Sequence, residues 1–502
     1  MEIRGLMIDA ARQPEKLETY KKLIDFANEW NYNTVLFRVA DDEGIVVKLD
    51  RVSDLICHLE PYSKKELRDF VLYANSKGID IIPEIESFGH TNYITNSKKY
   101  AHLSDMDTGK YANFSGLCPV HPETPGLMKE IYSEIAEIFN SKYLHGGCDE
   151  VNWGGSGLSK EALKKQSRSE IWSSYINSLC EQAKKLGKEF IIWGDHILRK
   201  ESGILEKLNN NIILLDWEYS SVDPQSLLDT VRPAVKKGFR IIGGPALGWC
   251  KWGPRPGKQQ LYNIDAFSEA YSKEKSSEYL GIILTNWCPW RIIANSLFDG
   301  FAYASVSMNE GPSEARASAF RYFVETHYAA KWNNNWAEVF SMIYDITPSR
   351  PPCSKAWEHP FLVCPWHDEK TLTAMIEERN QIFPNFAAIE SRLVLCESTV
   401  LKNIDDFKSF RLSVKYLKHI YWRNSIIMKA IENNSDLEIV INAIAEKDET
   451  LLSGIKKNHD ENRLEKLPNK GNDQLYYIFG KAALFSKQLK QNYKKYRKIF
   501  SS

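Results

Sequence analysis

The stretch Tyr143–Val151 reads YLHGGCDEV, an apolar start followed by two glycines, a cysteine and two adjacent carboxylates. This order is typical of a short buried strand whose end opens onto a pocket, because paired acids are seldom placed on a core strand for packing. Asp149 and Glu150 are therefore candidate functional residues. The alternative is that these acids cap the next helix. Acids, histidines and tryptophans at other strand ends in residues 1–300 favour the pocket.

On both sides of this stretch, from residue 4 to about 310, short apolar runs alternate with segments of helical period, which is the signature of repeated βα units. The helix after the second strand has the clearest ends, a Ser63–Glu66 capping box and a stop at Gly78. Eight strands, each followed by a helix, favour an α/β fold of the closed (β/α)8 TIM barrel type over an open doubly wound sheet. The predicted strands cover residues 4–9, 34–39, 80–86, 143–151, 189–195, 211–217, 240–245 and 279–287.

The alternation ends after Asn309, where a proline-containing, loop-rich stretch leads into long amphipathic segments. The sequence therefore predicts two domains, the barrel over residues 1–325 and a mainly helical C-terminal domain over residues 326–502. We interpret the helical domain as a scaffold that packs on the barrel or on a second subunit, which leaves a homodimer open.

Composition excludes several classes of function. The 502 residues carry no formal net charge and no long run of one sign, so neither nucleic acid nor an anionic membrane is expected as a partner. No window approaches the roughly 18 consecutive apolar residues of a membrane span, and the N-terminus shows no signal region, which predicts a cytoplasmic protein. A neutral small molecule fits this composition better.

Cysteine usage gives no sign of a metal or a disulfide framework. The nine cysteines are scattered singly, as expected for reduced thiols. Cys118 with His121, and His145 with Cys148, each have the composition of half a metal site, but neither has a second matching half nearby. We therefore predict no metal and no organic cofactor.

In a barrel of this kind the functional site lies at the carboxyl ends of the strands. Asp42 follows the second predicted strand and His90 the third, while Asp149 and Glu150 follow the fourth. Large aromatic residues stand at the later strand ends, namely Trp193, Trp217, Tyr219 and Trp287. Acids surrounded by indole rings suit a sugar, because its hydroxyls donate to carboxylates and its apolar face stacks on tryptophan.

The adjacency of Asp149 and Glu150 constrains the chemistry. A retaining glycosidase usually sets two carboxyls about 5–5.5 Å apart on opposite sides of the scissile bond, which neighbours on one strand end are poorly placed to do. If Glu150 protonates the leaving oxygen and Asp149 holds a group of the substrate, the nucleophile can be the substrate's own 2-acetamido oxygen. The closeness of the two acids is also expected to raise the pKa of one of them, as a general acid requires.

Three motifs lie in order on the predicted strands: RGLMID at Arg4–Asp9, PEIESFGHT at Pro83–Thr91 and HGGCDE at His145–Glu150. They resemble the Arg-Gly-x-x-x-Asp, Pro-Glu-x-Asp-x-Pro-Gly-His and His-x-Gly-Gly/Cys-Asp-Glu motifs of glycoside hydrolase family 20, the β-N-acetylhexosaminidases. The resemblance covers roughly residues 1–310. The sequence GCDEV on strand four and DWEY at Asp216–Tyr219 make the chain most similar to the hexosaminidase D branch.

The resemblance implies a retaining exo-β-N-acetylhexosaminidase that removes terminal, non-reducing β-linked GlcNAc or GalNAc from a glycan through an oxazolinium intermediate. Asp149 would orient and stabilise the acetamido group, and Glu150 would be general acid and then general base. The other implied substrate-binding residues are Arg4, Asp42, His90, Trp193, Trp217 and Trp287. The role of Arg4 rests on the resemblance alone, because this residue lies at the amino end of the first predicted strand.

The sequence departs from the family pattern at several positions. Glu86 replaces the usual Asp, and Phe88 replaces the Pro before Gly-His. Residues 241–246 lack the Tyr-x-Asp that normally binds the acetamido carbonyl, so we predict that Tyr219 replaces this Tyr; no acid follows Trp287 on strand eight. These changes leave the choice between GlcNAc and GalNAc as the substrate sugar open, although the hexosaminidase D resemblance favours acceptance of GalNAc. Two alternatives remain, a catalytically silent sugar-binding barrel and a barrel glycosidase with a direct carboxylate nucleophile.

Overall fold

A computed structural model describes residues 1–105, 116–200, 203–249, 254–274, 276–346, 381–433 and 435–464. The strands in these ranges are β1 (Ile3–Ile8), β2 (Thr34–Asp41), β3 (Gly44–Val47), β4 (Cys57–Tyr62), β5 (Asp80–Ile85), β6 (Tyr143–His145), β7 (Glu189–Trp193), β8 (Ile213–Trp217), β9 (Arg240–Gly244), β10 (Ala246–Gly248) and β11 (Tyr279–Asn286). The helices are α1 (Leu17–Glu29), α2 (Lys64–Ser76), α3 (Asn92–Thr95), α4 (Thr124–Ile138), α5 (Gly157–Leu163), α6 (Arg168–Lys185), α7 (Pro224–Val235), α8 (Lys258–Lys273), α9 (Phe298–Glu310), α10 (Pro312–His327), α11 (Asn334–Ile346), α12 (Asn385–Glu397), α13 (Ile404–Glu432) and α14 (Leu437–Asn462).

Eight of the described strands close into a parallel barrel. Around the ring the order is β1, β2, β5, β6, β7, β8, β9 and β11, and β11 pairs again with β1. Gly5 of β1 lies opposite Thr34 on one side and Ile283 on the other. Helices cover the outside of the ring, so these strands are buried on both faces and read as continuous apolar runs. The predicted (β/α)8 barrel is confirmed.

Helix ends follow their local sequence signals. At the start of α2 the Ser63 hydroxyl accepts the backbone N–H of Glu66, and the Glu66 carboxylate accepts the backbone N–H of Ser63 at 2.8 Å. Loss of such a cap typically costs about 1 kcal/mol. After the helix Gly78 adopts a φ of +74°, which a residue with a Cβ adopts only at a cost. The capping box and the stop at Gly78 are as predicted.

One extension of the sheet was not predicted. β3 pairs antiparallel with β2, and β4 pairs parallel with β3, outside the ring. The tight connection between β2 and β3 carries Asp42 and Glu43 at the carboxyl end of β2. The extension therefore fixes the position of one predicted site residue.

The helices after the barrel share its hydrophobic core. Tyr328, directly after α10, packs edge to face on Phe407 of α13, and Phe340 of α11 packs on Phe410 of α13. The predicted boundary at residue 325 falls inside α10 and stays a prediction, and the loop-rich stretch predicted between α11 and α12 lies largely outside the described residues. Within the described part of the chain, no helix is both long and apolar enough to cross a membrane.

Candidate active site

Four predicted site residues meet at the carboxyl ends of β2, β5 and β6. The Nδ1 atom of His90 lies 2.8 Å from Oδ2 of Asp42. The Nε2 atom of the same ring lies 3.4 Å from Oε2 of Glu150 and 3.8 Å from Oδ2 of Asp149. His90 thus stands between Asp42 on one side and the adjacent acids on the other.

The backbone around these residues is strained. His90, Cys148 and Glu150 have φ values of +48°, +74° and +47°, which residues with a Cβ seldom adopt. Gly89 is required next to His90, since a Cβ there would lie 2.1 Å from the carbonyl oxygen of Asp149. Strain of this kind persists where the surrounding structure holds it, and it clusters at functional sites.

A buried arginine forms the floor of the cluster. The guanidinium of Arg38, on β2, lies 2.5 Å from Asp41 and 2.7 Å from Glu86, and it also contacts Glu84. Burial raises the pKa of Glu84 to about 7, although Arg38 opposes the shift. Burial and the neighbouring Asp149 hold the pKa of Glu86 well above its usual range. Arg38 opposes this shift, and the Glu86 carboxyl also hydrogen bonds to Asp149.

The charge states of the adjacent acids differ from the prediction. Burial disfavours the Asp149 carboxylate, but His90 and Arg38 outweigh it and lower the pKa of Asp149. The hydrogen bond from His90 lowers the pKa of Glu150 against burial and the charge of Asp149. Burial disfavours the imidazolium, but Asp149 and the other acids around the ring raise the pKa of His90 well above its usual range. The expectation that adjacency raises the pKa of Asp149 or Glu150 is therefore wrong, because the interaction with His90 outweighs the mutual repulsion of the two carboxylates.

The predicted aromatic residues form a connected wall. Trp193 packs on Trp287 with ring centroids 5.4 Å apart, and its Nε1 donates to Glu84 at 2.6 Å. The Nε1 atom of Trp287 donates to the Tyr219 hydroxyl at 2.7 Å, and Tyr219 stacks on the half-buried Trp217 at 5.2 Å. Trp193, Trp217, Tyr219 and Trp287 thus form one continuous series of contacts, in which Trp193 is fully buried.

The structure does not bring Arg4 to this cluster. Arg4 lies at the amino end of β1, where its guanidinium donates to the backbone carbonyls of Met1 and Asn31 at 2.9 Å. Arg12 lies at the opposite end of the barrel, where its guanidinium is 5.1 Å from the centre of the Trp287 ring.

Arg12 is built into the site by two acids. Its guanidinium lies 2.9 Å from Asp41 and 3.4 Å from Asp9, and its side chain keeps 12% of its surface exposed. Asp9 also accepts the backbone N–H of Cys288 at 3.0 Å. Arg12 is therefore held rigidly at the rim beside Trp287.

The catalytic-domain profile of glycosyl hydrolase family 20 matches residues 2–278, which is more than half of the chain. This chain belongs to glycosyl hydrolase family 20. The matched residues include every side chain of the acid cluster and the tryptophans of β7 and β8.

Known members of family 20 are similar to this chain over part of their length. A β-hexosaminidase of Vibrio furnissii is 26% identical over 274 residues, which are 48% of this chain and 43% of that protein. A lacto-N-biosidase of Bifidobacterium bifidum is 29% identical over 216 residues, 41% of this chain and 18% of that protein. The X-ray structure of Flavobacterium johnsoniae chitobiase is 19% identical with a TM-score of 0.51, and covers 88% of this chain and 74% of that one. This last likeness shows the fold alone, and the chain spans less than half the length of the two sequence relatives.

Three residues of this family 20 site, Arg38, Glu84 and Arg12, were missed by the sequence analysis, although the sequence carries a signal for each. Arg38 is a lone charge inside the apolar run of β2, and Glu84 is its counterpart inside β5. Charged residues are almost never fully buried unless paired, so two opposite charges on adjacent core strands predict an ion pair inside the barrel. Arg12 follows the carboxyl end of β1 by four residues, the end where site residues stand.

Three groups of described residues bring three potential ligand atoms within 4.8 Å of one another. They are Asp41, Asp42 and His90; His90, Asp149 and Glu150; and His102, His121 and Glu123. Hydrogen bonds and ion pairs account for the first two. In the third, Nδ1 of His121 accepts the backbone N–H of Glu123 at 3.2 Å, and Nε2 of His102 lies 3.1 Å from the Glu123 carboxylate. We assign no metal to these groups, and neither of the two cysteine–histidine pairs considered in the sequence is among them.

Proposed function

We propose that this family 20 chain is a retaining exo-β-N-acetylhexosaminidase that works by substrate-assisted catalysis. One observation carries the proposal: Asp149 and Glu150 both face Nε2 of His90, at 3.8 and 3.4 Å. Two carboxyls that face the same atom approach the pocket from one edge. A nucleophile and an acid on opposite sides of a glycosidic bond need a different arrangement.

The geometry supports a role for each acid. Glu150 is half-exposed and next to the proton on His90, so it can receive that proton and pass it to the leaving oxygen. The acetamido oxygen of the substrate then forms the bond to C1 as the bond to the leaving oxygen breaks. The Asp149 carboxylate, ionised and almost buried, stabilises the positive charge of the resulting oxazolinium ring. In the second step Glu150 takes a proton from water, whose oxygen attacks C1 and reopens the ring.

We propose that the aromatic wall and Arg12 bind the sugar. Trp193, Trp217 and Trp287 would enclose the acetamido methyl and the sugar face, while Arg12 would replace Arg4 as the donor to sugar hydroxyls. Tyr219 accepts a hydrogen bond from Trp287 and is also hydrogen bonded to Thr285. Tyr219 has one hydroxyl proton, so an acetamido carbonyl would have to compete with Thr285 for it.

The pH profile tests the exchange of the proton between His90 and Glu150. The pKa of His90 lies well above its ordinary value of 6.5 and that of Glu150 lies below 4.5, so the pair holds one proton across the range between them. In the wild type the alkaline limb of kcat/KM should therefore lie above pH 6.5. In His90→Asn, Glu150 itself must hold the proton, and we expect the limb to move down by about one pH unit or more. His121→Asn is the matched control, and a limb that stays in place in His90→Asn would contradict the relay.

The substrate test compares release of 4-nitrophenol from β-GlcNAc, β-GalNAc, β-glucoside and β-lacto-N-bioside derivatives. We expect cleavage of an acetamido monosaccharide and none of the glucoside, because the glucoside lacks the internal nucleophile. The GlcNAc to GalNAc ratio tests the resemblance to the hexosaminidase D branch. Release from the lacto-N-bioside alone would favour removal of a disaccharide, the activity in the name of the B. bifidum relative.

An inhibitor separates the alternatives. A thiazoline mimic of the bicyclic intermediate should inhibit a substrate-assisted enzyme, whereas an enzyme with a direct nucleophile should ignore it. Binding of the thiazoline without turnover of any glycoside would support the silent sugar-binding barrel. A cytoplasmic location and a homodimer stay predictions from the sequence.

A further inference from the structure

The last turn of α14 and the residues after it lie against two loops of the barrel. Loop 9–16 follows β1 and carries Arg12, and loop 287–297 follows β11 and begins with Trp287. The two loops touch at the site, where Asp9 accepts the backbone N–H of Cys288 and the Arg12 guanidinium lies over Trp287. The C-terminal helical region contacts the same two loops from behind.

Arg463 joins both loops with one side chain. Its Nε donates to the carboxylate of Glu15 at 3.3 Å, in loop 9–16. Its NH2 group donates to the backbone carbonyls of Pro289 and Ile292, both at 2.7 Å, in loop 287–297. Only 1% of Arg463 is exposed. Hydrogen bonds of a charged donor out of reach of water are stronger than exposed ones and are costly to leave unmade.

The backbone of the same segment pairs with loop 9–16. Lys16 N donates to the carbonyl of Asn462 at 2.8 Å, and Leu464 N donates to the carbonyl of Pro14 at 3.1 Å. Glu15 and Arg463 therefore form an isolated antiparallel bridge. These contacts fix the position of the Arg463 side chain relative to the first loop.

Asn458, one turn earlier on α14, binds the second loop in the same manner. Its Oδ1 accepts the backbone N–H of Ala294 at 3.1 Å, and its Nδ2 donates to the carbonyl of the same residue at 3.2 Å. Its Nδ2 also lies 3.1 Å from the Ser409 hydroxyl of α13, which links the contact to the body of the helical region. Ala294 is thus held through both of its backbone polar groups.

We propose that Arg463 is a positioning residue for the sugar site and that, with Asn458, it makes the C-terminal helical region a clamp on the loops that carry Arg12 and Trp287. The expected change in KM rests on the proposed function, whereas the contacts that form the clamp do not depend on it. Neither clamp residue reaches the acid cluster through the described contacts. Their loss should therefore loosen the side chains proposed to bind the sugar and leave Asp149, Glu150 and His90 in place.

The test compares Arg463→Gln and Arg463→Lys in the full-length chain with the control Arg423→Gln. Arg423 is equally buried, and it pairs with Asp448 at 3.0 Å between α13 and α14, away from both loops. For Arg463→Gln we expect amide hydrogen exchange in loops 9–16 and 287–297 to rise about tenfold or more. We expect KM for the best aryl glycoside to rise about tenfold with kcat changed less than about threefold. In Arg463→Lys the positive charge beside Glu15 is kept, but the planar guanidinium that donates to Pro289 and Ile292 is lost. The changes in exchange and in KM should therefore be intermediate.

Each outcome of this test supports or contradicts the proposed clamp. Faster exchange confined to the two loops in Arg463→Gln and absent from Arg423→Gln would support it. Equal exchange and equal KM changes in both variants would overturn it, since they would reflect general destabilisation of the helical region. If Arg463→Gln does not fold, Asn458→Ala removes the contacts to Ala294 and to Ser409. Of the two loops, it should accelerate exchange in loop 287–297 only. A wild-type chain that hydrolyses none of the glycosides would refute the proposed function, and the exchange pattern would still decide the clamp.

Discussion

Glu150→Gln should reduce kcat/KM about 1000-fold on a disaccharide, whose leaving group is an unactivated alcohol, and only about tenfold on a 4-nitrophenyl glycoside. The difference follows from the leaving group, since an alkoxide must be protonated as it departs whereas 4-nitrophenolate is stable without a proton. Gln keeps the size of the side chain and can still hydrogen bond to His90 beside it. The measurement is kcat/KM for a chitobiose-type disaccharide and for the aryl glycoside, in wild type and variant.

The control for this prediction is Glu137→Gln on the outer helix α4. Glu137 is half-exposed and pairs with Arg51 outside the barrel, so its loss should leave both rates unchanged. A Glu150→Gln variant that loses the same factor on both substrates would contradict the acid role. Such a result would indicate instead that Glu150 acts on the sugar itself.

Two features of the sequence made the barrel and the acid cluster predictable. The alternation of apolar runs and helical segments sets the strand order, and parallel strands place their carboxyl ends at one face. Asp42, His90, Asp149 and Glu150 stand directly at those ends, so the fold alone brings them together. The strand ends bring these residues to one face, whereas the position of Asp42 also depends on the unpredicted β3–β4 extension.

The arginines were not predictable in the same way. Arg4 has the motif position, but its side chain leaves the barrel at the amino end of β1. Arg12 lies in a loop, where strand periodicity says nothing about the direction of a side chain. Its placement depends on Asp9, directly after β1, and on Asp41, at the end of β2. A contact set by tertiary packing of a loop cannot be read from local pattern.

The charge states of the acids show a second limit of the sequence. Adjacency in the chain predicts repulsion between Asp149 and Glu150, and that repulsion is present. It is outweighed by His90, which is distant in sequence, and for Asp149 also by the buried Arg38. Among the neighbouring acids, the pKa rises instead at Glu84 and at Glu86, a residue at which the chain departs from the motif of its family. Through-space partners decide a buried pKa, and the sequence names them only once the fold is known.

Asp149→Asn should reduce kcat about 1000-fold even on 4-nitrophenyl glycosides, because it removes the negative charge that faces the oxazolinium ring. The pKa of Asp149 is lowered, so in the wild type this charge is present throughout the neutral range and is lost only under acidic conditions. Asn cannot ionise, and it also changes the partner of the hydrogen bond between Glu86 and residue 149. The measurement is kcat on the aryl glycoside with its pH dependence.

The contrast with Glu150→Gln makes this prediction specific. An activated leaving group should rescue Glu150→Gln but not Asp149→Asn, since the acetamido attack on C1 is needed whatever the leaving group. An unchanged kcat in Asp149→Asn would contradict substrate assistance. A 2-deoxy-2-fluoro glycoside gives an independent check, because it lacks the acetamido group and can trap only a direct nucleophile. A covalent sugar on Asp149 would assign that residue as the nucleophile, whereas the absence of any adduct together with thiazoline inhibition would leave the acetamido oxygen as the group that attacks C1.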